Sequence, residues 1–136
     1  MRSLPAHPDV AGGLSALRAQ GHRLVALANS PHPVVDAQLD HAGLADHFDR
    51  IYSVEDAAAL KPAPVSYHHV LDAERTPARD AVMVAAHDWD IAGAQAVGMR
   101  TVFIARGNRT PLPGWPAPDA VVPDLTAAAR VALAQQ

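Results

Sequence analysis

Apolar positions along the chain recur with a period that switches repeatedly between helix and strand. From Val10 to Gln20 they fall at Val10, Leu14 and Leu17, a helical spacing, and Gly21 follows as a stop. His22–Ala28 (HRLVALA) is a short apolar run and predicts a buried strand. Asn29-Ser30-Pro31 ends that strand and offers caps for a helix running to about Ala42, with Gly43 as its stop. Arg50–Ser53 predicts a second, weaker strand. A helix over Pro64–Ala73 opens on a proline, whose missing N–H is harmless in a first turn. Ala81–Ala85 predicts a strand, Ile91–Val97 a helix closed by Gly98, and Arg100–Ile104 a strand. After a proline-rich loop from Gly107 to Pro118 come a short strand, Ala120–Val122, and a helix capped by Asp124 and running to about Ala134.

Strands alternating with helices of this length imply parallel βαβ units. The expected fold is α/β, a Rossmann-like doubly wound parallel sheet, in a single domain over residues 1–136. No internal repeat, linker or low-complexity tract divides the chain.

Composition narrows the function classes. Hydrophobic residues make up 49%, charged residues 18%, and the net charge is −3, which lacks the basic excess of a nucleic-acid binder. There is no cysteine, so thiolate metal sites, disulfides and a cysteine nucleophile are excluded. No apolar run approaches the ~20 residues that span a bilayer, and the N-terminus does not read as a signal peptide, so a cytoplasmic location is expected. With only 4% aromatics, the core must be built from Ala, Val and Leu.

In a doubly wound sheet the ligand site lies beyond the carboxyl ends of the strands. Three polar clusters fall there: Asn29-Ser30, Lys61-Pro62 and His87-Asp88-Trp89-Asp90. A lysine at such an edge can stabilise developing negative charge, or it can be a surface turn residue. Asp90 suits a catalytic carboxylate and equally a helix N-cap. His87 can hydrogen-bond water or a carboxylate near neutral pH, or serve only the loop. Tyr67 reads either as a site residue or as the buried face of its helix. The other histidines (His7, His22, His32, His41, His47, His68, His69) show no metal-ligand spacing and are read as structural or surface residues. Arg106 and Arg109 flank a loop near the site edge, in reach of an anion.

The stretches LANS, KPAPVSY and VAAHDWDIAGAQAVGMRT, in that order, resemble the type II haloacid dehalogenases of the haloacid dehalogenase (HAD) superfamily. The resemblance runs from about Pro8 to Leu133 and is most specific from Ala85 to Thr101. It implies that Lys61 neutralises an anionic site and that Asp90 positions the hydrolytic water and orients the lysine. It also implies that Asn29 helps bind a substrate carboxylate, that Tyr67 bonds the acidic network, and that His87 stands at a site position. Ser30 is a further candidate, and Ala28 replaces an expected hydroxyl residue. Trp89 is expected to pack and fix the loop, and Asp88 to be a solvated loop carboxylate. No cofactor is implied for a dehalogenase; in the phosphatase relatives this region binds Mg²⁺, and Asp90 would then be a metal ligand.

Family members open with a strand ending in a DxDGT-like or DxYGT-like turn, whose first aspartate is the nucleophile, followed by a helical cap. None of the 14 acidic residues here lies in that setting, and residues 1–9 read as the return from the cap. The expectation is an incomplete, truncated HAD core without its nucleophile and therefore without turnover alone. The family reaction is hydrolytic dehalogenation of a 2-haloacid through an aspartyl ester. The alternatives are a non-catalytic module binding a small anion and a remnant of a Mg²⁺-dependent phosphatase. The strand not found belongs between His22–Ala28 and Ala81–Ala85, so these must pair directly or leave open edges. Expected partners are a small anionic substrate, a second copy of the chain, or a separately encoded N-terminal half; neither nucleic acid nor membrane is expected.

Overall fold

The computed structural model describes residues 9–57, 60–105 and 110–134. Its elements are α1 (Asp9–Ala19), β1 (Val25–Ala28), α2 (His32–His41), β2 (Arg50–Ser53), α3 (Val54–Ala57), α4 (Pro64–Ala73), β3 (Val82–Ala85), α5 (Asp88–Ala96), β4 (Arg100–Ile104), β5 (Ala120–Val122) and α6 (Leu125–Ala134). The protein is α/β, as the alternating periodicity predicts, and every strand pairing is parallel. Residues 1–8, most of the expected cap-to-core return, lie outside the described residues together with His7, Arg106 and Arg109.

The parallel strands fall into two sheets. β1 pairs with β2, placing Val25 opposite Arg50, while β3, β4 and β5 form a separate ladder with Val82 opposite Arg100 and Val102 opposite Ala120. β1 and β3 do not pair, so each keeps an edge without a strand partner among the described residues. Burial follows from this. Thr101 to Ile104 on the central β4 are all buried, whereas every residue of β1 and β3 is only half-buried. Of the two outcomes expected for a missing central strand, the structure takes open edges.

Helices join the two sheets. α1, which precedes β1, packs along α6, which follows β5. The crossing is close at Gly13, where a Cβ would stand 2.6 Å from the Leu125 side chain. Asp9 at the start of α1 accepts the Leu125 N–H at 2.8 Å, an orphan donor of the α6 N-terminus. Leu14, Leu17, Leu24 and Leu44 share one buried cluster with Val102, Ile104, Val122, Leu125 and Ala128, with Val82, Val84 and Ala120 packed against it, so this core lies against the β3–β4–β5 sheet. Side chains alternate along a strand, so Thr101 and Phe103 face the opposite side; there the Thr101 hydroxyl accepts a bond from Gln95 of α5 at 3.1 Å.

Several boundaries differ from the sequence expectation for local reasons. β1 starts at Val25, because the Leu24 main chain is engaged with Asp49: its N–H donates to Oδ2 and its C=O accepts the Asp49 N–H, both at 2.7 Å. Neither Asn29 nor Ser30 caps α2; Pro31 holds the N-cap position with no side-chain bond. α5 begins at Asp88, a turn earlier than expected, with His87 at its N-cap. Asp88 and Asp90 therefore stand in its first turn, where carboxylates suit the positive end of the helix dipole. At α6 the expected Asp124 cap is present, its Oδ1 accepting the Ala127 N–H at 2.8 Å.

Candidate active site

The carboxyl ends of β1 and β3 are joined by one polar network. Lys61, in the turn before α4, donates from Nζ to Asp90 Oδ2 at 2.8 Å. Tyr67 on α4 donates its hydroxyl to the other oxygen, Oδ1, at 2.6 Å. The Lys61 and Asp90 side chains are only 9% and 8% exposed, and Tyr67 is 1% exposed, so the charges sit in a largely water-free setting. Such a pair persists only when each partner remains, because removing one strands the other in low dielectric. Burial pushes the Tyr67 phenol well above its ordinary value and the Asp90 bond pushes it further, which keeps it a neutral donor.

The first turn of α5 shapes the rest. The Trp89 ring lies with its centroid 5.4 Å from Lys61 Nζ, within range of a cation–π attraction. His87 is exposed, its ring centroid 5.4 Å from that of Trp89. Asn29, directly after β1, accepts the Lys61 main-chain N–H through Oδ1 at 2.8 Å. Gly93 lies three residues beyond Asp90 on the same helix face, and a Cβ there would meet the Tyr67 hydroxyl at 2.6 Å.

The expected site residues thus assemble unevenly. Lys61, Asp90, Tyr67 and Asn29 form a continuous chain of hydrogen bonds, and His87 joins it only through the Trp89 ring. Ser30 does not enter: its carbonyl accepts the Ser53 hydroxyl at 2.7 Å, and its own hydroxyl has no bond to the cluster. Asp88 stands in the first turn of α5 and accepts the Leu112 N–H of the β4–β5 loop at 3.2 Å, a solvent-exposed bond. Asp90 is not a helix cap, since His87 takes that position. Trp89 and Gly93 are the site residues that sequence reasoning undervalued. The signal for Gly93 was its spacing from Asp90; the signal for Trp89 was an aromatic beside a candidate carboxylate.

Among the described residues no group of three His, Asp or Glu side chains could hold a metal ion. None of the described helices is long and apolar enough to cross a membrane.

A family profile described as haloacid dehalogenase-like hydrolase matches residues 2–98. The chain is 32% identical over 99 residues to haloacetate dehalogenase H-2 of Moraxella sp. (strain B), covering 73% of this chain and 44% of that protein. It is also 32% identical over 123 residues to the plasmid phosphoglycolate phosphatase of Cupriavidus necator, covering 88% and 52%. The chain therefore spans about half the length of these relatives. The L-2-haloacid dehalogenase from Xanthobacter autotrophicus, solved with chloropropionic acid covalently bound, superposes with a TM-score of 0.88 at 25% identity, covering 96% of this chain and 62% of that one. On the profile match and the shared fold, the chain belongs to the haloacid dehalogenase-like hydrolases.

Proposed function

We propose that this chain carries the charge-stabilising half of a hydrolytic 2-haloacid dehalogenase site. The observation that supports it is the buried Lys61–Asp90 pair, set beyond the carboxyl ends of β1 and β3, each of which keeps one open edge. A strand entering between those edges would bring its own carboxyl end beside Lys61. A carboxylate there displaces halide from C2 of the substrate and forms an ester, which water then hydrolyses to a 2-hydroxyacid and the free carboxylate. Lys61 holds the attacking carboxylate ionised and balances charge on the substrate acid group. Asp90 fixes Lys61 and, with His87 nearby, orients the water. The attacking carboxylate is assigned to none of residues 1–136, and the proposed reaction requires one.

A Mg²⁺-dependent phosphatase reading draws on the phosphatase relative but fits the residues less well. Both Asp90 oxygens are already acceptors, from Lys61 and Tyr67, and Asp88 Oδ1 is held by the Leu112 N–H. The Lys61 ammonium 2.8 Å from Asp90 opposes a second cation at that carboxylate.

The test is complementation. The chain is mixed with a polypeptide bearing a strand–Asp-x-x-Gly-Thr segment and helical cap from a relative, and halide release from 2-chloropropionate is followed. Release that vanishes with Lys61→Met is the expected result. A stable complex that releases phosphate from esters, and no halide, overturns the assignment. Calorimetry of the lone chain with haloacetate, lactate and phosphate identifies binding without hydrolysis.

A further inference from the structure

We propose that Asn29 is a positioning residue, which fixes the main chain of Lys61 relative to the first sheet and so sets where the ammonium stands. The inference rests on Lys61 being the cation of the site proposed above. Lys61 does not belong to a regular element. Its turn closes on itself through the Ala63 N–H to Leu60 C=O bond at 2.9 Å, which sets the shape of the turn but not its place in the protein. The ammonium end is held from the α5 side by Asp90 Oδ2 at 2.8 Å and by the Trp89 ring. The backbone end is held from the β1 side, where Asn29 Oδ1 accepts the Lys61 N–H at 2.8 Å. A flexible four-carbon stem tethered at both ends is confined far more than one tethered at its tip, and its loop is confined with it.

The chemistry of the amide adds a second consequence. Oxygen and nitrogen of an asparagine amide are distinguished only by their partners. A main-chain N–H can meet only an acceptor, so the amide must present its oxygen to Lys61. The acceptor is thereby committed, and two N–H donors remain as the polar function of Asn29. An aspartate at this position would keep the latch and lose the donors.

The experiment reads the latch without requiring turnover. Amide hydrogen exchange of Lys61 is followed by NMR in the whole chain and in Asn29→Ala and Asn29→Asp, with acetylation of the Lys61 ε-amine measured in parallel. Asn29→Ala is expected to speed Lys61 amide exchange roughly two- to tenfold, the range a single net hydrogen bond supports. Exchange at Tyr67 and Ile91 should be unchanged, and ε-amine acetylation should be faster. Asn29→Asp should leave Lys61 exchange slow. Unchanged exchange in Asn29→Ala, or equal acceleration in both variants, overturns the proposal. If Asn29→Ala unfolds, a through-hydrogen-bond coupling from the Lys61 amide nitrogen to Asn29 Cγ in the unsubstituted chain decides, its absence overturning the latch. An inactive chain with a working latch would separate this inference from the dehalogenase reading.

Discussion

Gly93→Ala tests the packing that holds the site together. A methyl at residue 93 would stand 2.6 Å from the Tyr67 hydroxyl oxygen, 2.7 Å from Cε2 and 2.8 Å from Cζ. Comfortable contact between such atoms is about 3.5 Å or more, so the ring must retreat by nearly 1 Å. Tyr67 is 1% exposed and has no open space to retreat into. A shift of that size stretches its 2.6 Å bond to Asp90 Oδ1 beyond hydrogen-bond range. Overpacking costs about 1–3 kcal/mol, and an orphaned buried acceptor costs a similar amount. The two do not simply add, because moving the ring relieves the clash while breaking the bond. Alanine regains up to about 1 kcal/mol over glycine within a helix. The net expectation is a loss of about 1–3 kcal/mol, read from the urea midpoint by circular dichroism. In a Tyr67→Ala background the clash is gone, and Gly93→Ala should become neutral or stabilising. Equal costs in the two backgrounds, within about 0.5 kcal/mol, would refute the argument that Gly93 exists to admit the ring.

Two further outcomes follow from the charged groups. Lys61→Met leaves the Asp90 carboxylate buried with Tyr67 as its remaining side-chain donor, and should destabilise by about 3 kcal/mol, whereas Lys61→Met with Asp90→Asn should recover a large part of that; additive losses in urea denaturation would refute the pairing. Glu74 is held below its ordinary value of 4.5 chiefly by the hydrogen bond from Arg23, so its contribution is fully present above that value and is lost as pH falls through the lowered one. Thermal melts from pH 6 down to pH 3 should therefore show a shallower acid loss in Glu74→Gln than in the unsubstituted chain, and parallel curves would count against the bond.

The elements were legible in the sequence because their signals are local. β2, β4, β5 and α4 have the bounds their apolar runs predict, and Gly21, Gly43 and Gly98 stop helices with positive φ of 88°, 72° and 93°. The division into two sheets was legible only as a choice between outcomes, since strand pairing depends on contacts far apart in sequence. The start of α5 was missed because Asp88, Trp89 and Asp90 read as a polar loop; the dipole that favours acids in a first turn exists only once the helix does. Lys61, Asp90 and Tyr67 were readable as candidates, since each stands after an expected strand or at a helix spacing. Their bonding was not, because it depends on how α4 and α5 pack. Ser30 was a candidate as a hydroxyl two places beyond Ala28; the bond it makes here is through its main-chain carbonyl, which accepts the Ser53 hydroxyl.

The Lys61–Asp90 bond has a consequence for how the two halves of the molecule communicate. At 2.8 Å it is close to the best length for a charged pair, so little slack remains. One end of that reach is anchored after β1 through Asn29, and the other after β3 through α5. Arg23, before β1, and Tyr52 of β2 are tied to Glu74, which follows α4, while the core between α1 and α6 seals one face. A strand wedged between β1 and β3 would have to satisfy this fixed span. The lysine thus spans the gap between the two sheets at a fixed length, so any widening between β1 and β3 must lengthen the ion pair or carry the Lys61 turn with it.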